Sequence, residues 1–137
     1  MMLVFVNEDK ELQENFFHTF HQTNKVFCFS EMYDAYKWIK NTPGAPDMII
    51  SEVDIHDPSG LQSFKFLETK SKLKNTKLVA FTPEPVEKEQ ISLVISEGAD
   101  AVFSRSSLFS DISSYLKYLQ TSEPRPKSES KKPSEKK

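Results

Sequence analysis

Cysteine is almost missing. Cys28 stands alone among 137 residues, which excludes an intramolecular disulfide and any multi-cysteine zinc site. Glycine is scarce, at three residues, and none follows the first apolar run, so no glycine-rich loop is there to cradle a phosphate. The three histidines, His18, His21 and His56, are too scattered to suggest a metal enzyme. There is no apolar run of about 18 residues, hence no membrane span is expected. The opening MMLVFVNEDK lacks the basic start of a secretory signal and turns acidic too early. The expectation from these absences is a cytoplasmic domain of ordinary single-domain length.

What is present is unevenly charged. Residues 121–137 carry six basic and three acidic side chains, against 12 and 17 in the rest of the chain. The tail holds no Leu, Ile, Val, Phe, Met or Ala. It cannot bury enough apolar surface to offset the entropy of ordering and is expected to be disordered. The division expected is a domain over 1–120 and a polar, basic tail over 121–137. The acidic body argues against nucleic acid as a partner.

Strand and helix patterns alternate along the body. Met2–Val6, Lys25–Phe29, Asp47–Val53, Lys77–Phe81 and Ala101–Ser104 are short apolar runs of the kind that strands buried on both faces show. Between them, apolar residues recur at helical spacing. Leu12, Phe16, Phe17 and Phe20 predict a helix over 10–22. Tyr33, Ala35, Tyr36, Trp38 and Ile39 predict a second, with Ser30 as its N-cap. Leu61, Phe64 and Leu67 predict a third after a polar loop at Asp54–Gly60. Helices over 86–96 and 107–119 complete the set. Five strands in strict alternation with five helices predict an α/β fold: a doubly wound parallel sheet, flavodoxin-like, in the order 2-1-3-4-5. Sites in such sheets lie at the carboxyl ends of the strands. The loops there carry Asn7, Glu8 and Asp9, then Glu52 and Asp54, then Thr82, then Ser104 and Arg105. Converging carboxylates repel unless a cation neutralises them or some protonate. A hard divalent ion suits oxygen ligands.

Over residues 2–119 the chain resembles the receiver domains of two-component response regulators. The pieces that carry the resemblance are LVFVNED, PDMIISEVDIHDPSG, KLVAFTP and EGADAVFSRS. It implies a CheY-like receiver fold, a phosphoacceptor eight residues before Gly60, an acidic pair after the first strand, a hydroxyl after the fourth and a Lys-Pro pair after the fifth. Here the acceptor position is Glu52, the acidic pair is Asn7-Glu8, the hydroxyl is Thr82 and the Lys-Pro pair is Arg105-Ser106. The proline expected four after the acceptor is His56, and the aromatic switch position is Val102.

These departures imply a degenerate member, a pseudo-receiver. Glu52 is a methylene longer than Asp, and a displacement of about 1 Å at a reacting group can cost about 100-fold. Neutral Asn7 weakens any Mg²⁺ site, leaving Glu8 and Glu52 as its carboxylate ligands. No cofactor is required. Two readings of Glu52 stay open: a mimic of a phosphorylated acceptor near Thr82 and Arg105, and a relic ion pair with Arg105. Asp54 and Asp57 are alternative acceptors. The function expected is an atypical single-domain receiver in phosphorelay signalling, independent of phosphorylation, not an enzyme, and acting by protein contact. The alternative is a stand-alone receiver that takes phosphate from a histidine kinase. A small flavodoxin-like cofactor binder is a remoter one. The partner surface implied is the fourth helix, fifth strand and fifth helix, residues 85–119. It would serve a histidine kinase, a downstream signalling protein or a second copy.

Among the other candidates, His18 and His21 lie three apart on one helix without a third metal ligand. His56 is read as an exposed loop residue and Cys28 as a buried strand residue. Phe16, Phe17, Phe20, Tyr33, Tyr36 and Trp38 are read mostly as core, with any excess covering a partner surface.

Overall fold

A computed structural model describes residues 1–121, with the backbone alone at 58–60. Five strands, β1 (Met2–Val6), β2 (Lys25–Phe29), β3 (Met48–Glu52), β4 (Lys77–Thr82) and β5 (Ala101–Ser104), alternate with α1 (Lys10–Phe20), α2 (Met32–Lys40), α3 (Pro58–Glu68), α4 (Lys88–Ser96) and α5 (Leu108–Thr121). All strand pairs are parallel, in the order β2-β1-β3-β4-β5. The topology expected from the alternation is therefore the one observed. The expected tail lies outside the described residues from 122 onward, while Thr121 closes α5.

Period-two alternation builds a core on each face of the sheet. Leu3 and Phe5 of β1 face one way, with Met48, Ile50, Val79 and Phe81, under α1 and α5. Val4 and Val6 face the other way, with Ile49, Leu78 and Ala80, under α2, α3 and α4. The α1–α5 side is phenylalanine-rich. Phe5 stacks on Phe16 with centroids 4.2 Å apart, and Phe16 meets Phe20 at 4.6 Å. Such pairs add about 0.5–1.5 kcal/mol each beyond the area they bury.

Several boundaries differ from the expectation. The third helix starts at Pro58 instead of near Leu61, since proline at the first helical position has no N–H to lose and its φ is already helical. Ser30 is not the cap of α2. That position is Glu31, which makes no side-chain cap bond, and the Ser30 hydroxyl instead accepts a hydrogen bond from Lys10 Nζ (2.9 Å). The last turn of α2 is closed from outside: Lys72 Nζ donates to Ile39 O (2.5 Å) and Thr42 O (2.6 Å), a cation on a helix's negative end.

Cys28 is half-buried, and burial pushes its thiol pKa up against the smaller lowering effect of Lys10, which disfavours the thiolate. Phe16 and Phe20 are core, as expected, but Phe17 is exposed and stacks on His21, and Tyr33 is 70% exposed. No helix among the described residues is long and apolar enough to cross a membrane.

Candidate functional site

The carboxyl ends of β1, β3 and β5 meet at a cleft of about 870 Å³ lined by Asn7, Glu8, Asp9, Glu52, Asp54, Asp57 and Arg105, among others. Parallel pairing sets this up. β1 pairs with β3 so that Val6 lies opposite Ser51. Asn7, which follows β1, and Glu52, the last residue of β3, are thereby set side by side.

Asn7 is the hinge of the arrangement. It is buried, at 6% exposure. Its Oδ1 accepts the Asp9 backbone N–H (2.8 Å), and its Nδ2 donates to Glu52 Oε1 (2.6 Å). The backbone donor fixes which amide atom is oxygen, so the nitrogen is left for Glu52. An aspartate at position 7 would set two carboxylates at hydrogen-bond distance, and they would repel. Asn7 and Glu52 are thus chemically matched. The Asn7 carbonyl is also taken, by Gln13 Nε2 (2.6 Å).

Arg105 supplies the positive charge. Its Nη2 donates to Asp9 Oδ2 at 2.5 Å, and its Nη1 stands 3.8 Å from Glu52 Oε2. The first is a charge-assisted hydrogen bond; the second is an ion pair too long to be one. Asp9 caps α1 as well, its Oδ1 accepting from Glu11 N (3.0 Å) and Leu12 N (3.2 Å). The N–H of Leu12, then the Arg105 guanidinium and the N–H of Glu11, hold the Asp9 carboxyl pKa below the usual aspartate range.

The structure brings Asn7, Glu52 and Arg105 together, with Glu8 exposed on the rim of the same cleft. It does not bring Thr82 in. That hydroxyl donates to Glu84 O (2.6 Å) and lines an adjoining cleft with His56 and Gln90. The residue that sequence reasoning undervalued is Asp9, which makes the shorter of the two Arg105 contacts. Its signal was available: an aspartate just before a helical apolar pattern is a strong N-cap. Asp54 accepts the His56 backbone N–H in a tight local turn (2.9 Å).

The divalent cation implied by the resemblance does not fit this donor set as arranged. Asp9 is committed to a helix end and to Arg105, and Glu52 to Asn7 and Arg105. Among the described residues, no three Asp, Glu, His or Cys side chains gather to hold a metal ion. His18 and His21 are neighbours on α1, with ring centroids 6.1 Å apart.

With this geometry in view, the class is defined by the fold: it is the receiver fold of response regulators. A response regulator from Thermotoga maritima is 13% identical, with a TM-score of 0.74 over 88% of this chain and 98% of that one. The response regulator DrrB, an OmpR/PhoB homologue of Thermotoga maritima, is 17% identical, with a TM-score of 0.70 over 88% of this chain and 52% of that one. The chain thus spans about half the length of DrrB. The receiver domain of response regulator 1452 from Francisella is 14% identical, with a TM-score of 0.70 over 88% of this chain and 96% of that one. At such identities the likeness shows the fold alone. No protein-family model matches the chain, and no curated protein matches it in sequence.

Proposed function

We propose that this domain is a receiver-like module of two-component signalling that takes up no phosphoryl group and acts by protein contact. One observation carries the reading: both oxygens of Glu52, at the acceptor position, are already engaged, one by Asn7 and one by Arg105. Phosphoryl transfer depends on positioning and on cations that neutralise developing charge. Here the nucleophile position holds a longer carboxylate, and the guanidinium of Arg105, at the family's lysine position, already stands beside it. Arg105 supplies Asp9 and Glu52 with a cationic partner, and in this reading the domain works without Mg²⁺. The Thr82 hydroxyl, turned to Glu84 O, supports the relic reading over a phosphorylation mimic, which would draw that hydroxyl toward the charge. In this reading the domain has no enzymatic role. Its partner surface is the α4–β5–α5 face (85–119), where Leu93, Ile95 and Tyr118 are exposed. The partner is a histidine kinase, a downstream signalling protein or a second copy.

The test is intact mass after incubation with acetyl phosphate and Mg²⁺, for the wild type and for Glu52→Asp. The wild type is expected to gain no mass. A phosphoryl group on the wild type would overturn the proposal and make the domain a working phosphorylatable switch. Gain on Glu52→Asp alone would locate the block in Glu52. Gain on neither would mean that Asn7 and Arg105 close the site as well.

A further inference from the structure

A second depression lies beside the acidic cleft, between α2 and α3. It has a volume of about 540 Å³ and is walled by Tyr33, Tyr36 and Phe66. These rings are not packed away. Tyr33 is 70% and Phe66 46% exposed, and Tyr36 meets Phe66 edge-on with centroids 5.2 Å apart. Contiguous exposed aromatic surface of this kind marks an interaction site.

The rim is basic. Lys37 and Lys40 line the groove. Lys37 Nζ stands 5.3 Å from the Tyr33 centroid, Lys40 Nζ 5.8 Å from that of Tyr36, and Lys70 Nζ 4.3 Å from that of Phe66. No acidic residue lines it, and among the described residues none of the three lysines has a carboxylate within ion-pair distance. Outside residues 121–137 acidic side chains outnumber basic ones, so the groove is set apart by its acid-free lining, not by its lack of ion pairs, which among the described residues Arg105 alone makes. The ammonium groups resting over rings gain about 0.5–1 kcal/mol each at exposed sites and leave donors free.

The groove runs into the acidic cleft, because Met32 and Ser63 line both. One continuous surface therefore passes from carboxylates at Glu31, Glu52 and Asp54 to uncompensated lysines around an apolar floor. A nucleic acid fits this badly. The groove has no arginine, and its Tyr36–Phe66 pair is edge-on instead of presenting parallel faces for stacking. By sequence, residues 121–137 carry the same sign of charge as the rim, which argues against that segment as the occupant.

We propose that the α2–α3 groove docks an acidic peptide segment of a partner protein, with apolar side chains over Tyr33, Tyr36 and Phe66 and carboxylates on Lys37, Lys40 and Lys70. Neither the groove nor its chemistry depends on whether Glu52 accepts phosphate, and the face is distinct from residues 85–119.

The test uses three fluorescein-labelled probes: a short helical peptide with Leu and Phe on one face and Glu elsewhere, the same peptide with Lys for every Glu, and an oligouridine RNA. Binding is read by anisotropy at low and high salt, and the site by backbone amide NMR shifts. The acidic peptide is expected to bind, to weaken with salt, and to shift amides within 32–40 and 62–70. The triple variant Lys37→Glu, Lys40→Glu, Lys70→Glu should lose about tenfold or more in affinity, as the loss of several exposed charge pairs implies. Tyr33→Ser should weaken it as well, at an unchanged unfolding midpoint. No binding of the acidic peptide would overturn the proposal. So would equal binding of the basic one, preference for the RNA, or self-association through the groove in sedimentation. Shifts confined to 88–118 would overturn it too, while leaving the reading of the α4–β5–α5 face intact.

Discussion

The two edges of the sheet carry acids of different kinds. At the amino edge, Asp47 Oδ2 accepts the Met2 N–H (2.7 Å) and Asp100 Oδ2 accepts the Leu78 N–H (2.8 Å), so each carboxylate ties one strand's start to another's. Thr76, buried, adds a hydroxyl bond to Pro46 O (2.7 Å). At the carboxyl edge, Glu52 is held by an amide side chain and Asp9 by a helix end, and one arginine spans both. The first edge uses carboxylates to complete the backbone's hydrogen bonds. The second pairs them with side-chain donors, an amide and a guanidinium, although Asp9 also completes the first turn of α1. A strand-end carboxylate is therefore structural or functional according to its partner, and the fold depends on the two edges unequally.

The largest effect is expected on the amino edge, at Gly98, where α4 turns back toward β5. Its φ is +115°, and a Cβ there would stand 3.0 Å from the Phe64 carbonyl oxygen and 3.5 Å from Glu68 Cβ. Gly98→Ala combines a backbone conformation that side chains rarely adopt with a contact against rigid backbone, at a cost of about 2–3 kcal/mol. Urea unfolding should show the loss as a lower midpoint at unchanged slope. A cost under about 1 kcal/mol would mean that this edge yields more easily than its hydrogen bonding implies.

Next in size is Asp100→Ala. It leaves the Leu78 N–H without its acceptor, while the Asp100 backbone bond to Leu78 O (2.6 Å) stays. An unsatisfied, partly buried donor costs about 1–2 kcal/mol. Asp100→Asn keeps an acceptor oxygen in place and should recover most of that in the same urea titration. If Asn were as damaging as Ala, the charge of Asp100, and not its acceptor, would be what the edge needs, and the contrast between the edges would fail.

The architecture was legible because it rests on periodicity. Each apolar run became a strand, and β1, β2 and β5 took the ends expected for them. Boundaries slipped where proline changed the meaning of a polar stretch, as at Pro58. The site was legible as a set of positions: Asn7, Glu52 and Arg105 do converge. Side-chain direction was not. Nothing in the order of residues says that Thr82 turns to Glu84 O, or that Arg105 reaches Asp9 across 96 positions. Those choices follow from competition among nearby donors, which no spacing rule encodes. Likewise, Tyr33 and Tyr36 share one helix with Ala35 and Ile39. Ala35 and Ile39, four apart, face the sheet core and are buried, while Tyr33, two residues before Ala35, lies on the other side of the helix and is exposed, a distinction that reading all these aromatics together as core passed over.

The smallest change in stability, and the most selective test of the contrast, is expected from Arg105→Gln. The guanidinium and the Asp9 carboxylate are 35% and 42% exposed, and exposed ion pairs contribute little. The urea midpoint should stay within experimental scatter of the wild type, unlike either variant of the amino edge. The effect should appear instead in the titration of Asp9, followed by NMR of its carboxyl carbon. In the wild type its pKa is depressed, first by the Leu12 N–H and then by Arg105. A depressed folded value means that the stabilising contribution is fully present above the ordinary aspartate value, about pH 4. It is lost as the pH falls through the lower folded value. Without the guanidinium the midpoint should rise, yet stay below the ordinary value, because the helix N–H groups still favour the charged form. A midpoint that did not move would mean that Arg105 leaves Asp9 unaffected in solution. One that rose all the way would mean that the cap bonds contribute nothing. A clear fall in the urea midpoint would mean that the carboxyl edge holds the fold together as the amino edge does, and the distinction between structural and functional carboxylates would not survive it.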